Sequence, residues 1–83
     1  MAAEGKYGRI TTERGDIPDD EPVFLIRAQD RVAVALLDRY AMLAEAAGSP
    51  PRHLTGTREA IERFVAWQSE HPDRVKTPGV PRS

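Results

Sequence analysis

Between residues 50 and 71 the chain carries polar side chains in a pattern typical of an anion-binding site. A helix is predicted over this range, and cationic and hydroxyl-bearing residues fill its amino-terminal half: Arg52, His53, Thr55, Thr57 and Arg58. The unpaired N–H groups and the dipole at the start of a helix already favour a negative charge. Arginine adds bidentate contacts to phosphate or carboxylate groups. The pattern predicts a site for an anionic ligand.

Further residues supply what a nucleotide would need beyond this cluster. Arg27 and Arg31 bracket the start of another predicted helix, and the arginine fork matches phosphate geometry. Tyr40 and Trp67 offer rings on which a base could stack, as does Tyr7 near the amino terminus. We therefore expect a cyclic or NAD-derived nucleotide, held between subunits by arginines and stacked on Tyr40 or Trp67.

A competing interpretation treats the same arginines as an ordinary solvated helix face. Arg58 stands four residues before Glu62, and Glu59 stands four before Arg63, which is the spacing of intrahelical ion pairs. Such pairs would neutralise the cations. Arg63 also lies four residues before Trp67, so its guanidinium can stack on that ring. The sequence alone leaves both interpretations open.

The other polar residues do not predict catalysis. The chain has no cysteine, and its two histidines, His53 and His71, lie far apart. The loop at 13–22 is rich in carboxylates, namely Asp16, Asp19, Asp20 and Glu21. Their spacing does not match a calcium loop, and a type I turn with Pro18 in second position explains them, as do ion pairs with a neighbouring subunit. No nucleophile elbow or phosphate-cradling glycine loop is present. We expect a binding protein rather than an enzyme, with no catalytic residue, metal or cofactor.

Length and composition restrict the class of protein further. The chain has 83 residues, enough for one domain, and a chain this short without disulfides usually needs a partner subunit. We therefore expect a homo-oligomer. The net charge of −1 disfavours a general nucleic-acid binder. No apolar run approaches the roughly 18 residues of a membrane span, and the amino terminus lacks a signal-peptide core. The predicted location is the cytoplasm.

The order of elements predicts an α+β fold that is mainly α. A short amino-terminal β-hairpin or extended segment is expected to pack on an antiparallel two-helix hairpin. The predicted strands and helices lie at about 8–12, 23–28, 31–47 and 50–71. They form a single β-β-α-α domain over residues 8–71, flanked by a disordered terminus at 1–7 and a flexible tail at 72–83.

Local signals mark the ends of the predicted helices. Asp30 is the expected N-cap of the first helix, and Gly48 stops it. Ser49 is the expected N-cap of the second helix, with Pro50 in its first helical position. The corner between them is so short that the helices must run antiparallel.

Both predicted helices are amphipathic, and some apolar residues lie off the main stripes. The stripe of the first helix is Ala33, Leu36, Leu37, Tyr40, Leu43, Ala44 and Ala47. The stripe of the second is Leu54, Thr57, Ile61, Phe64, Val65 and Gln68. Val34, Met42 and Trp67 fall outside both, which predicts apolar surface left over for another subunit or for a different protein. A DNA-binding accessory role is a third hypothesis, which the lone Arg27 on the second strand supports only weakly.

Three segments resemble small uncharacterised proteins of GC-rich bacteria and their phages: "IPDDEPVFLIRAQD", "LLDRYAMLAEAAGSPPRHL" and "FVAWQSEHPDRVK". The resemblance covers roughly residues 8–76 and carries no catalytic motif. Small phage proteins of this style often block a host protein or sequester a cyclic-nucleotide immune signal. By this analogy of size and style, the chain is expected to be an anti-defence nucleotide sponge. The alternative is an inhibitor or adaptor that binds a host protein through an apolar helical face.

Overall fold

The computed structural model of the chain describes residues 17–80 in full. Nearer the amino terminus it describes the backbone of four two-residue strands: Ala3–Glu4, Gly8–Arg9, Thr11–Thr12 and Gly15–Asp16. The first strand pairs antiparallel with the second, and the third with the fourth. The disorder predicted for 1–7, the strand predicted for 8–12 and the role suggested for Tyr7 involve positions outside the described residues, so they stay predictions.

Two helices dominate the described part of the chain, which confirms the predicted helical hairpin. Helix α1 spans Ala33–Ala46, and helix α2 spans Pro51–Glu70. They run antiparallel, because contacts join the end of α1 to the start of α2 and the start of α1 to the end of α2. At the turn end, the Tyr40 hydroxyl of α1 forms a hydrogen bond with the His53 ring of α2. At the opposite, open end, the Gln68 amide donates to the carbonyls of Ala28 and Asp30 (3.0 and 3.1 Å).

The corner between the helices follows the sequence signals with one correction. Gly48 has φ +92°, the left-handed conformation that ends many helices. Ser49 is not the N-cap of α2: Pro50 occupies that position with extended backbone, and Pro51 takes the first helical position. The reason is steric, because a residue that precedes proline is disfavoured in the helical region, and Pro50 precedes Pro51.

Helix α1 begins two residues later than predicted. The Asp30 carboxylate accepts the N–H of Val32 (2.9 Å), so it closes a local turn rather than capping a helix at residue 31. The N–H of Arg31 donates to the carbonyl of Lys76 (2.8 Å), and the N–H of Lys76 donates to the carbonyl of Gln29 (2.9 Å). These two bonds hold residues 29–31 in an extended bridge beside Lys76 and delay the helix.

The strand predicted at 23–28 is wrong. Within residues 17–80 the backbone forms turns at 18–21 and 27–30 with an irregular segment between them, and no strand pairs with it. Phe24 in this segment is 83% exposed. A continuous apolar run is consistent with a buried strand only where a neighbouring strand or helix covers it, and here no strand does. The turn also differs in detail, since Pro18 is its first residue and not its second.

The carboxy-terminal segment lies beside the open end of the hairpin. Pro72–Arg74 form one turn of 3-10 helix, after which Lys76 makes the bridge to residues 29–31 described above. The flexibility predicted for 72–83 stays a prediction. The backbone contacts of Lys76 nevertheless connect this segment to the start of α1.

The packed face of α1 is built from small side chains. Ala33 and Ala41 are fully buried and Ala44 nearly so, while Val34 and Leu37 beside them are half-buried. On α2 five of the six predicted stripe residues are half-buried, as are Ala60 and Trp67; the five are Leu54, Thr57, Ile61, Phe64 and Gln68.

The side of α1 that packs on α2 is therefore rotated around the helix axis from the predicted apolar stripe. Leu36 and Leu43, which it placed in the core, are 47% and 55% exposed, and Val65 of α2 is likewise exposed. We call the residues Val32, Leu36, Leu43 and Ala47 the outer face of α1; each is exposed. Alanine occupies the most buried positions because small side chains let two helices approach closely, and Leu36 and Leu43 face away from α2.

Candidate functional site

A groove lies between the two helices at the turn end of the hairpin. Its volume is about 750 Å³, and it is open to solvent. Helix α1 contributes side chains from its middle, the corner contributes its serine and a proline, and α2 contributes its first three turns. The lining residues are Leu37, Tyr40, Ser49, Pro50, Arg52, His53, Gly56, Thr57 and Ala60.

The two rings of the groove contact each other across the helices. The hydroxyl Oη of Tyr40 lies 2.8 Å from Nε2 of His53 in a hydrogen bond. The ring centroids are 5.9 Å apart, with the ring planes at 72°, the edge-to-face arrangement that aromatic pairs prefer. Because Tyr40 is 47% exposed, part of its ring stays available to a ligand while the hydrogen bond fixes its orientation.

Cationic and hydroxyl groups flank this ring pair. Arg52 is exposed at the start of α2, and no carboxylate among the described residues lies within ion-pair distance of it. The Thr57 hydroxyl donates to the carbonyl of His53 one turn earlier (3.0 Å). That bond occupies the hydroxyl proton, so Thr57 can offer a ligand only its oxygen lone pairs. Arg52 is therefore the cation through which the groove can attract an anion.

Gly56 and Ala60 leave space on the α2 side of the groove. A Cβ atom built on Gly56 would meet nothing within 4 Å, so no contact within the described chain requires glycine there. A glycine inside a helix costs about 1 kcal/mol relative to alanine. Because Gly56 has no side chain, the groove is wider at this position than it would be with alanine.

The structure brings together some of the predicted ligand residues and separates others. Tyr40, Arg52, His53 and Thr57 line one groove. Thr55 and Arg58, on the same helix, are exposed but do not line it. The expected ion pairs of Arg58 with Glu62 and of Glu59 with Arg63 are absent from the described part of the chain.

The remaining candidates lie at the open end of the hairpin. Arg27 and Arg31 precede α1, whose 14 residues are about 21 Å long, so one small ligand cannot contact them and Arg52 within a single chain. Arg27 also has an interaction partner of its own. Trp67 lies near the end of α2, where the Arg74 guanidinium sits 4.8 Å from its ring centroid. The His71 ring is also 4.8 Å away, tilted by 45°.

Of the predicted partner-binding residues, Met42 is exposed at 54%, while Val34 and Trp67 are half-buried. The lining residues that the sequence analysis missed are Leu37, Ser49, Pro50, Gly56 and Ala60. A sequence signal existed for one of them: Gly56 interrupts an otherwise good helix without a cap or a turn to explain it.

The described residues contain neither a cluster of metal ligands nor a membrane-spanning helix. No group of three or more histidine or carboxylate side chains could hold a metal ion, and no helix there has the length and apolar character needed to cross a membrane. Compared with protein-family models, curated proteins and solved structures, the chain matches none of them.

Proposed function

We propose that the chain binds an anionic ligand of the nucleotide class in the groove beside Tyr40 and His53, and sequesters it without chemical change. One observation carries the proposal: an arginine that has no ion-pair partner among the described residues meets two rings and a helix amino terminus in one groove. A phosphate requires the cation and the helix start, and a base requires an exposed ring. The volume of about 750 Å³ falls within the range of about 300–1,000 Å³ of small-molecule sites.

The start of α2 supports the phosphate part of this proposal. Pro50 and Pro51 have no N–H group, and the N–H groups of His53 and Leu54 both donate to the carbonyl of Pro50 (2.9 and 3.2 Å). Among the first described residues of α2, the N–H of Arg52 is thus left for a ligand. Arg52 can offer an oxyanion both its guanidinium and its backbone N–H.

The experiment compares two arginines that differ in position and not in charge. Arg52→Ala and Arg58→Ala remove the same charge from the same helix, but only Arg52 lines the groove. Isothermal titration would measure the affinity of each variant for cyclic dinucleotides, cyclic trinucleotides and cyclic NAD-derived nucleotides. Loss of a hydrogen bond to a charged group predicts about a tenfold to hundredfold weaker affinity for Arg52→Ala, with Arg58→Ala close to the unmodified chain.

Two results would overturn the proposal. One is that no nucleotide of the panel binds the unmodified chain. The other is that both variants lose the same affinity, because a general attraction between unlike charges would then explain the binding without a groove. Inorganic phosphate, titrated separately, shows how much of the affinity the phosphate contacts supply.

A second candidate function is binding to another protein through α1. The observation that favours it is the outer face, where the exposed residues Leu36 and Leu43 lie on one side of a 14-residue helix. Contiguous exposed apolar surface is typical of interaction sites. The two candidates differ in their sensitivity to substitution: Leu36→Asp would abolish partner binding, whereas Arg52→Ala would leave it unchanged.

A further inference from the structure

The ring pair of the groove offers a ligand different groups, depending on where its protons lie. The Tyr40 hydroxyl and Nε2 of His53 share one hydrogen bond (2.8 Å), and Nδ1 of His53 has no partner among the described residues. If the hydroxyl donates to Nε2, the proton of the neutral imidazole ring lies on Nδ1. If Nε2–H donates to the hydroxyl oxygen instead, Nδ1 is an acceptor and the hydroxyl proton is free. Each neutral form therefore presents a ligand with one donor and one lone-pair acceptor.

Protonation of His53 turns this mixed pair into two donors. An imidazolium ring carries a proton on both nitrogens, so Nε2–H donates to the Tyr40 oxygen and the hydroxyl proton is released for another acceptor. Nδ1–H and the tyrosine O–H can then both donate to a ligand, and the ring gains a positive charge. The added proton thus replaces a lone pair, which would repel an oxyanion, with a group that binds one.

We propose that His53 is the second cation of the phosphate site and that an anionic ligand binds the chain together with one proton. The inference depends on the proposed function, because it concerns the same groove. Arg52 and His53 are adjacent in the sequence and both line the groove, so one phosphate group can contact the guanidinium group and the imidazolium ring. Hydrogen bonds to ionised groups are stronger than neutral ones, so the ligand selects the protonated form.

The charged groups around the imidazole ring favour this role. Of the residues that line the groove, only Tyr40 from α1 and Arg52 from α2 are titratable besides His53, and the corner contributes uncharged residues. The neighbouring charged residues of both helices are exposed and do not line the groove, namely Asp38, Arg39, Glu45, Arg58 and Glu59. No carboxylate of the described lining can neutralise the imidazolium ring, so a bound anion becomes its counterion.

Proton uptake makes the affinity depend on pH in a definite direction. Imidazole is the side chain whose charge ordinarily changes between about pH 5 and pH 8. Because the complex holds more protons than the free chain, the affinity rises as pH falls through this range. Uptake of one proton changes an affinity by at most about tenfold per pH unit. We expect a rise of about tenfold from about pH 8 to about pH 6.

Isothermal titration of the nucleotide panel at about pH 8 and about pH 6 tests this dependence. Each phosphate of these cyclic nucleotides is a diester or an anhydride with one strongly acidic oxygen, so the ligand keeps a constant charge over this range. Repeating the titration at about pH 7 in two buffers of different ionisation enthalpy measures the proton uptake directly. About half a proton or more should be taken up per nucleotide bound.

The two histidines of the chain allow a matched control. His53→Gln keeps a side chain that can hydrogen bond to Tyr40 but cannot be protonated in this range. His71→Gln removes the other imidazole ring, about 27 Å away along α2. His53→Gln should bind about tenfold more weakly than the unmodified chain at about pH 6, and the two should bind alike at about pH 8. His71→Gln should retain the full pH dependence.

The outcomes distinguish this inference from the proposed function. An affinity that does not change with pH, or a pH dependence that His53→Gln retains, would overturn the inference and leave the groove proposal intact. An equal loss of affinity by His53→Gln at both pH values would also contradict it, because the ring would then act without its charge. If no member of the panel binds the unmodified chain at either pH, the proposed function fails and this inference fails with it.

Discussion

The two sides of α1 are both apolar, but the most buried residues of one side are smaller than the most exposed residues of the other. The side that packs on α2 has Ala33, Ala41 and Ala44, all buried, whereas the outer face has Leu36 and Leu43, each about half exposed. The small side chains permit close contact within the chain, whereas Leu36 and Leu43 stay exposed. The difference teaches that hydrophobicity identifies which sides of a helix are apolar, while side-chain size indicates which side the neighbouring helix covers.

The largest effect on stability is expected when a packed alanine is replaced by a larger residue. Ala41→Leu inserts three carbon atoms between helices that have no space for them, and overpacking typically costs about 1–3 kcal/mol. For a chain of this size, each kcal/mol lowers Tm by about 4–8 °C. Thermal unfolding followed by circular dichroism should show a large decrease for Ala41→Leu and little change for Met42→Leu, its exposed neighbour. Equal Tm values for the two variants would show that Ala41 is not packed as described.

A polar contact at the open end supplements the weak alanine packing. Gln68 donates to the carbonyls of Ala28 and Asp30, which connects α2 to the residues before α1. Gln68→Ala leaves two partly buried carbonyls without this donor, at a cost of about 1–3 kcal/mol. Denaturant unfolding should show this loss, while Ser69→Ala, at an exposed neighbouring position, should be nearly neutral. An unchanged free energy of unfolding for Gln68→Ala would mean that water replaces the amide without cost.

Protein concentration tests the outer face without altering a packed residue. A partner that binds only the folded state raises Tm by mass action. The Tm of the unmodified chain should therefore rise by several degrees between dilute and concentrated samples. The Tm of Leu43→Asp should stay constant over the same range, because the charged side chain prevents association. A concentration-independent Tm for the unmodified chain would contradict an association role for this face.

The smallest expected effect is an increase in stability, and it concerns a residue of the groove. Gly56→Ala should stabilise α2 by about 0.5–1 kcal/mol, since a Cβ at this position meets nothing within 4 Å. The added methyl group narrows the groove, so nucleotide affinity should decrease while Tm increases. Calorimetry and titration on the same preparation measure both. A stabilised variant with unchanged affinity would show that the ligand does not approach Gly56.

Much of the helical hairpin could be predicted from the sequence because its signals are local. The apolar periodicity, the glycine at position 48 and the proline pair that follows it identified both helices and their junction. The rotation of the α1 stripe was not predictable from periodicity, since leucine and alanine count equally as apolar. The prediction of a strand at 23–28 was wrong because an apolar run in the sequence does not reveal whether another strand or helix covers it.

The candidate site was predicted in part, because several of its residues are close together in the sequence. Arg52, His53 and Thr57 are close in sequence, and the short corner brings Tyr40 to them. Arg31 was predicted to join these residues only because its guanidinium group can also bind a phosphate. The antiparallel arrangement, itself predicted, places it at the opposite end of the hairpin.

Native mass spectrometry of the unmodified chain, with and without the nucleotide panel, tests the central claim most directly, because one spectrum reports subunit number and bound mass together. We predict an oligomer that takes up a cyclic nucleotide in fixed stoichiometry. A monomer at all concentrations that binds no member of the panel would contradict both the nucleotide-binding groove and the association through α1.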